Sequence, residues 1–219
     1  MTERRPIRVL LVDDEPLVRT GIRAILEGES AIRVVAEASD GDEVEAAVDE
    51  NRPDVVLMDV RMPRVNGLDA TERLADRGGA PRVLVLTTFD SDDYVYEALR
   101  RGAAGFVLKR AEPEELVRAI VTVASGDVLL YPSAIRRLAA MRPVRRRDRL
   151  ADARLSQREE DVLRLMARGS TNREISNELY VSVETVKSHV ASILTKLGVR
   201  DRTQAVIEAY ESGFIEPGE

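Results

Sequence analysis

The 219-residue sequence predicts an α/β unit on a doubly wound, five-stranded parallel sheet, followed by a small all-α unit of four helices. Three observations carry this prediction. Over residues 1 to 125, short β-branched runs alternate with stretches of helical spacing, the pattern of successive βα units. Those runs are apolar almost throughout, as strands buried on both faces must be. From Leu155 onward, helix-start signals recur at short intervals with no strand pattern between them. Domains usually hold roughly 100 to 150 residues, so two modest domains fit the length.

The first strand is read at Ile7 to Val12 and leads into a helix whose apolar positions are Leu17, Ile22, Ile25 and Leu26. The second strand, Ile32 to Ala36, precedes a helix marked by Val44, Ala47 and Val48. Val55 to Met58 and Arg82 to Leu86 supply the third and fourth strands. Val95, Ala98 and Leu99 mark the helix after the fourth, and Gly105 to Leu108 forms the fifth strand. Right-handed crossovers between such strands cover both faces of one sheet. Ligands of open parallel sheets lie outside the carboxyl ends of the strands, which directs attention to the residues there.

Beyond Ser125 the pattern loosens into a short apolar helix near Ser133 to Met141 and a basic, proline-containing linker over residues 142–154. The linker reads as a solvated connector, with DNA phosphates as the other available partner. Four helices follow, at 157–168, 172–179, 183–197 and 202–212. Ser156 with Glu159, Thr171 with Glu174 and Asp201 with Gln204 have capping-box spacing, and Ser182 begins the third helix without an acidic partner.

Hydrophobic residues make up 44% and charged residues 33%, an ordinary globular composition that excludes a disordered or collagen-like chain. The absence of cysteine excludes disulfides, thiolate nucleophiles and cysteine-ligated metals, and suits a cytoplasmic location. No apolar run approaches the roughly 20 residues of a membrane-spanning helix. The net charge of -6 conceals an asymmetry: the first 125 residues are acidic at -8, whereas the remainder is mildly basic at +2. A basic rear unit is compatible with nucleic acid. Only three of the 33 basic residues are lysines, at 109, 187 and 196, so each marks a place where an ammonium is specifically useful.

Asp13 and Asp14 end the first strand and Asp59 the third, while Thr87 and Lys109 end the fourth and fifth. Neighbouring parallel strands lie about 5 Å apart, which gathers these groups at one rim. Three carboxylates so close repel by roughly 4 kcal/mol per pair at an effective dielectric near 20, and a hard divalent cation such as magnesium would relieve them. A carboxylate nucleophile, a metal, a hydroxyl and an ammonium form the parts list for phosphoryl transfer. No Gly-x-x-x-x-Gly-Lys loop is present, which argues against a nucleotide donor. Taken singly, each aspartate reads as a solvated strand end; it is the joint pattern of Asp13, Asp14, Asp59, Thr87 and Lys109 on successive strands that points to a site.

The runs Leu11-Val-Asp-Asp-Glu15, Leu57-Met-Asp-Val-Arg-Met-Pro63, Leu86-Thr-Thr88 and Gly105-Phe-Val-Leu-Lys109 resemble the signature segments of bacterial response-regulator receiver domains, over about residues 6–125. The resemblance implies a flavodoxin-like fold, Asp59 as phosphoacceptor, and magnesium held by Asp13, Asp14, Asp59 and the backbone carbonyl of Arg61. It also implies that Thr87 and Lys109 contact the phosphoryl oxygens and that Phe106 is an aromatic switch. Arg61 and Phe89, two positions beyond Asp59 and Thr87, are expected to flank the path of an attacking water and to slow self-dephosphorylation.

In the rear unit, Val183, Val186, Val190, Ile193, Leu194 and Leu197 form one apolar stripe. The opposite face is read as Glu184, Thr185, Lys187, Ser188, Ala191, Ser192 and Thr195, short polar side chains suited to a DNA groove. Pattern alone leaves an ordinary helical hairpin open. The runs Leu155-Ser-Gln-Arg-Glu159, Thr171-Asn-Arg-Glu-Ile175, Val183-Glu-Thr-Val-Lys-Ser-His189 and Leu197-Gly-Val-Arg-Asp-Arg-Thr-Gln-Ala205 resemble the LuxR-type helix-turn-helix over about residues 152–215. That likeness places Lys187 and Ser188 nearest the bases and Thr185 and Arg202 on phosphates. His189, the only histidine, is read as packing or a phosphate contact.

The two resemblances together imply a response regulator of the NarL/FixJ type. The expectation is a cytoplasmic transcription factor with a receiver at 6–125, a helical segment and linker at 126–151, and a helix-turn-helix domain at 152–215. Its expected partners are a sensor histidine kinase, double-stranded promoter DNA and, once phosphorylated, a second copy of itself, with no membrane. An aspartate-nucleophile phosphatase is the rival enzyme reading, but such enzymes carry an acid two residues past the nucleophile, where this chain has Arg61. A receiver that acts without phosphorylation is the other rival.

Overall fold

The computed structural model describes residues 5–77, 81–88, 92–125 and 153–215, with backbone alone at 92, 93 and 96. The chain divides into two compact units at residues 126/127. The helix expected near 133–141 and most of the linker lie outside the described residues.

In the front unit, β1 (Ile7–Val12), β2 (Ile32–Ala38), β3 (Val55–Asp59), β4 (Arg82–Thr87) and β5 (Gly105–Leu108) form one sheet in the order β2-β1-β3-β4-β5. Every pairing is parallel. The expected sheet is therefore observed, with β1 and β5 at the expected bounds and the other three strands one or two residues longer. Asp59 pairs with Leu86 and Thr87 with Leu108, so the ladder extends to the functional side chains themselves. β1 lies between β2 and β3, which makes the β1–β3 gap the switch point where a crevice opens at the carboxyl ends.

Five helices cover the sheet: α1 (Pro16–Glu27), α2 (Val44–Asn51), α3 (Gly67–Ala75), α4 (Asp92–Arg100) and α5 (Pro113–Ser125). Leu10, Val12, Val56, Met58, Val83 and Val85 share one core cluster with Val44 of α2, Leu68 and Leu74 of α3 and Ala98 of α4. The alternate residues Val9, Leu11, Val55, Leu57, Leu84 and Leu86 are equally buried. Helices α1 and α5 pack against the strands and bury Ile22, Leu26, Leu116, Ile120 and Val123. Burial of both parities explains why these strands read as continuous apolar runs.

The rear unit holds α6 (Gln157–Ala167), α7 (Asn172–Glu178), α8 (Val183–Leu197) and α9 (Arg202–Glu211). Complete capping boxes open α6 at Ser156/Glu159 and α7 at Thr171/Glu174. Ser182 accepts from the Thr185 amide and Asp201 from that of Gln204, so each helix starts where its cap predicts. Gly198 ends α8 in the left-handed region at φ 65°, where a side chain would be strained. Val186, Ile193 and Leu197 are buried, with Val183, Val190 and Leu194 at the margins, so the expected stripe is the packed face of α8.

Candidate functional site

Asp13 and Asp14 follow β1, Asp59 and Thr87 close β3 and β4, and Lys109 follows β5. One carboxylate oxygen from each of Asp13, Asp14 and Asp59 lies within 4.8 Å of the others. The Lys109 ammonium sits 2.7 Å from Asp13 Oδ2, 3.0 Å from Asp59 Oδ1 and 3.7 Å from Glu15 Oε1. Asp14, Asp59, Arg61, Thr87 and Lys109 line one open cavity of about 310 Å³, together with Glu15, Val60 and Thr88. Asp13 is fully buried, and its Oδ1 accepts the Glu15 amide at 2.9 Å. Its Oδ2 meets the ammonium as an ion pair, without an aligned hydrogen bond. A buried carboxylate oxygen lacking a directed donor, beside two further carboxylates, suits a hard cation with oxygen ligands.

Burial is the main influence on Asp59, which is only 5% exposed, and it pushes the carboxyl up to about 6. The bond and charge of Lys109 hold it down against that trend, while the Asp13 charge adds to the rise. For Lys109, burial favours the neutral amine, but the close carboxylates of Asp13 and Asp59 override it and raise the pKa above the ordinary lysine value. The site therefore presents an ammonium beside a carboxylate that burial has made more basic.

The loop carrying Arg61 is fixed from below by residues that the sequence patterns did not single out. Asp40 is buried, and its carboxylate accepts the Arg64 and Val65 amides, each at 2.9 Å. Burial alone would raise the Asp40 carboxyl, yet those amides, that of Asp42 and the Arg64 guanidinium hold it below the usual range. Gly67 begins α3 directly against the phosphoacceptor candidate: a Cβ there would fall 1.8 Å from the Asp59 carbonyl oxygen. The Asn66-Gly67 pair is a legible turn signal, but the close approach is not. At the cavity mouth the Arg61 guanidinium lies 6.0 Å from the centroid of the Tyr94 ring. Phe106 is half-buried against the core cluster and does not line the cavity. Phe89 lies outside the described residues.

In the rear unit, Thr185, Lys187 and Ser188 are exposed on the first two turns of α8, and His189 is half-buried. Lys187 Nζ is 3.4 Å from Glu184 Oε1, and Ser188 Oγ donates to the Glu184 carbonyl at 3.0 Å. Two residues point elsewhere than expected. Ser192 does not belong to the open face, because its hydroxyl donates inward to Glu159 Oε1 at 2.6 Å. Arg202 is 6% exposed, and its guanidinium donates to the Ser170 carbonyl and, at 3.0 Å, to Asn172 Oδ1. Arg202 thus braces the start of α7 from within, its guanidinium held by a loop carbonyl and a side-chain amide oxygen instead of facing outward toward a phosphate. Glu159, read as a simple helix-start residue, is the hub between α6 and α8, with Lys196 Nζ at 2.6 Å from Oε2.

A doubly wound sheet with an acidic rim, joined to a helix-turn-helix unit, defines a two-domain regulator that couples a receiving site to DNA. Residues 9–121 match the response regulator receiver domain, and residues 153–209 match the bacterial regulatory proteins of the luxR family. YxjL of Bacillus subtilis (strain 168), described as an uncharacterized transcriptional regulatory protein, is 38% identical over 214 residues, covering 96% of this chain and 98% of its own. The crystal structure of ChrA, a response regulator of a heme-sensing two-component system, is 37% identical at a TM-score of 0.53, covering 97% of this chain and 100% of that one. The RcsB–DNA complex is 27% identical at a TM-score of 0.55, covering 95% and 99%. The chain belongs to the response regulators that join a receiver to a LuxR-type DNA-binding domain, and it is a transcription regulator of that family, not an enzyme of the ordinary kind. Among the described residues no helix is long and apolar enough to cross a membrane.

Proposed function

We propose that this protein acts in the cytoplasm, that Asp59 accepts a phosphoryl group from a sensor histidine kinase, and that this modification controls promoter binding through α8. The single observation that carries this reading is the convergence of Asp14, Asp59 and Lys109 in one cavity at the switch point of the sheet, with the buried Asp13 carboxylate directly beside them. An Asp59 oxygen attacks phosphorus while the phosphorus–nitrogen bond of the donor histidine breaks. The bonding pair stays on the imidazole nitrogen, which regains a proton from solvent. Asp13, Asp14 and Asp59, with the Arg61 carbonyl, would hold a magnesium ion, whose charge offsets the phosphoryl oxygens when bound. Lys109 is already within 3.0 Å of Asp59 and would exchange that contact for a phosphoryl oxygen, while the buried Thr87 hydroxyl takes another.

Movement of Thr87 toward the phosphoryl group opens space for the half-buried Phe106 ring, which turns inward and reshapes the surface around β4, α4 and β5. The altered receiver pairs with a second copy, and two helix-turn-helix domains, each within about 152–215, engage two half-sites. Thr185, Lys187 and Ser188 are the DNA-facing residues of α8, supported by their exposure and by the RcsB–DNA complex as a relative. The bulk of Arg61 at the cavity mouth slows attack by water on the phosphorylated form.

The test is incubation with magnesium and a small acyl phosphate, followed by intact mass. The wild type gains one phosphoryl group and Asp59→Asn gains none. Equal modification of both proteins would overturn Asp59 as the acceptor, and steady turnover of phosphate esters would overturn the regulator reading in favour of a phosphatase.

A further inference from the structure

Tyr180 breaks two local rules at once. It is the most exposed large apolar side chain among the described residues, at 95%. Its backbone has φ 54°, in the left-handed region that glycine and asparagine occupy cheaply and an aromatic residue does not. The turn that imposes this conformation is built. The Tyr180 amide donates to the Asn177 carbonyl at 3.4 Å and that of Val181 to the Ser176 carbonyl at 3.0 Å. The Arg158 guanidinium donates to the Leu179 carbonyl at 2.5 Å, anchoring the end of α7 to α6. Stability alone favours glycine or asparagine here, so an outward-facing tyrosine points to use outside the fold.

Its position identifies the use. Tyr180 stands two residues before Ser182, the N-cap of α8, in the turn of the helix-turn-helix. When a recognition helix enters the major groove by its N-terminal residues, the turn before it lies over the strand that borders the groove. That strand offers deoxyribose and phosphate, which take half to two-thirds of protein–DNA hydrogen bonds, tyrosine among the donors. A phenol supplies an apolar ring for the sugar and a donor for the phosphate. We infer that Tyr180 is a DNA-backbone contact, its ring packed on a deoxyribose and its hydroxyl donating to a phosphate oxygen. This rests on the reading that α8 binds DNA.

A neutral donor releases no counterion, so this contact adds affinity without adding salt dependence, unlike Lys187. The probe is a mixed-sequence 30-base-pair duplex, because backbone contacts act on any sequence. Full-length protein, with and without acyl phosphate and magnesium, is titrated by fluorescence anisotropy across salt concentrations. Tyr180→Phe should bind more weakly by about tenfold or more, the worth of one hydrogen bond to a charged phosphate oxygen, with an unchanged slope of log K against log salt. Tyr180→Asn should lose about tenfold or more while its melting temperature stays equal or rises, since asparagine tolerates the left-handed backbone. A merely structural tyrosine would lose stability together with affinity. Lys187→Ala should reduce the slope by about one. Wild-type affinity in either Tyr180 variant, a changed slope, or a fall in melting temperature parallel to affinity overturns the proposal. If wild type binds and Lys187→Ala weakens it while the Tyr180 variants bind normally, this inference alone fails. If wild type binds no duplex in either state, the α8 reading fails with it.

Discussion

Replacing Asp14 by asparagine should stabilise the metal-free protein and abolish its response to magnesium. Its carboxylate lies within 4.8 Å of those of Asp13 and Asp59. Among the described residues no ammonium or guanidinium approaches it within 4 Å, whereas Lys109 pairs with both of the others. At that distance and an effective dielectric near 20, Coulomb's law gives about 3.5 kcal/mol of repulsion per pair. Asp14 is half-buried, so solvent screens much of this, and a net gain of about 1 to 2 kcal/mol is expected for Asp14→Asn in a chelator. A gain of that size moves the melting temperature up by a few degrees. Magnesium should raise the wild-type transition according to ligand linkage and leave the variant where it was. Thermal unfolding with chelator and with magnesium measures both effects. A variant less stable than wild type in chelator, or one with a full magnesium shift, would refute the electrostatic reasoning.

Gly67→Ala should destabilise the front unit by about 1 to 3 kcal/mol and slow phosphoryl uptake, because a Cβ 1.8 Å from the Asp59 carbonyl oxygen forces β3 and α3 apart. Gly21→Ala, on an open face of α1, serves as the contrast and should stabilise by about 0.4 to 1 kcal/mol in the same unfolding assay. Glu159 supplies the pH dependence of the rear unit. Burial would raise its carboxyl, but Lys196, Ser192 and Ser156 outweigh burial and draw it down to about 2. Its contribution is therefore complete above the unfolded value near 4.3 and is lost as pH falls toward 2, amounting to about 2 to 3 kcal/mol. Denaturant titrations from pH 7 to pH 3 should show about 1 to 2 kcal/mol of this loss in wild type and a flatter profile in Glu159→Gln; equal profiles would contradict it.

The sheet was legible because burial on both faces leaves an unbroken apolar signature, and the rear helices because Ser156, Thr171, Ser182 and Asp201 all act as the caps they resemble. The acidic site was legible for a topological reason: strand-end residues of a parallel sheet converge whatever lies between them. Ser192 and Arg202 were misplaced because their directions depend on partners 33 and 30 residues away, Glu159 and Asn172. A helical wheel shows where the apolar stripe lies but not which edge residue a distant carboxylate captures. The sparse lysines carried real information: Lys109 and Lys196 each serve a buried carboxylate, and Lys187 stands exposed on α8. Gly67 was missed because close backbone approach leaves no trace in periodicity.

The central claim is that a phosphoryl group on Asp59 governs DNA binding. Its most direct test is the affinity of one protein preparation for duplex DNA before and after acyl-phosphate treatment in magnesium, with oligomeric state followed by light scattering and Asp59→Asn run in parallel. The account predicts that treated wild type dimerises and binds more tightly, while treated Asp59→Asn does neither. Unchanged binding by a wild type that carries the phosphoryl group would contradict it and leave a DNA-binding protein whose receiver works without phosphorylation.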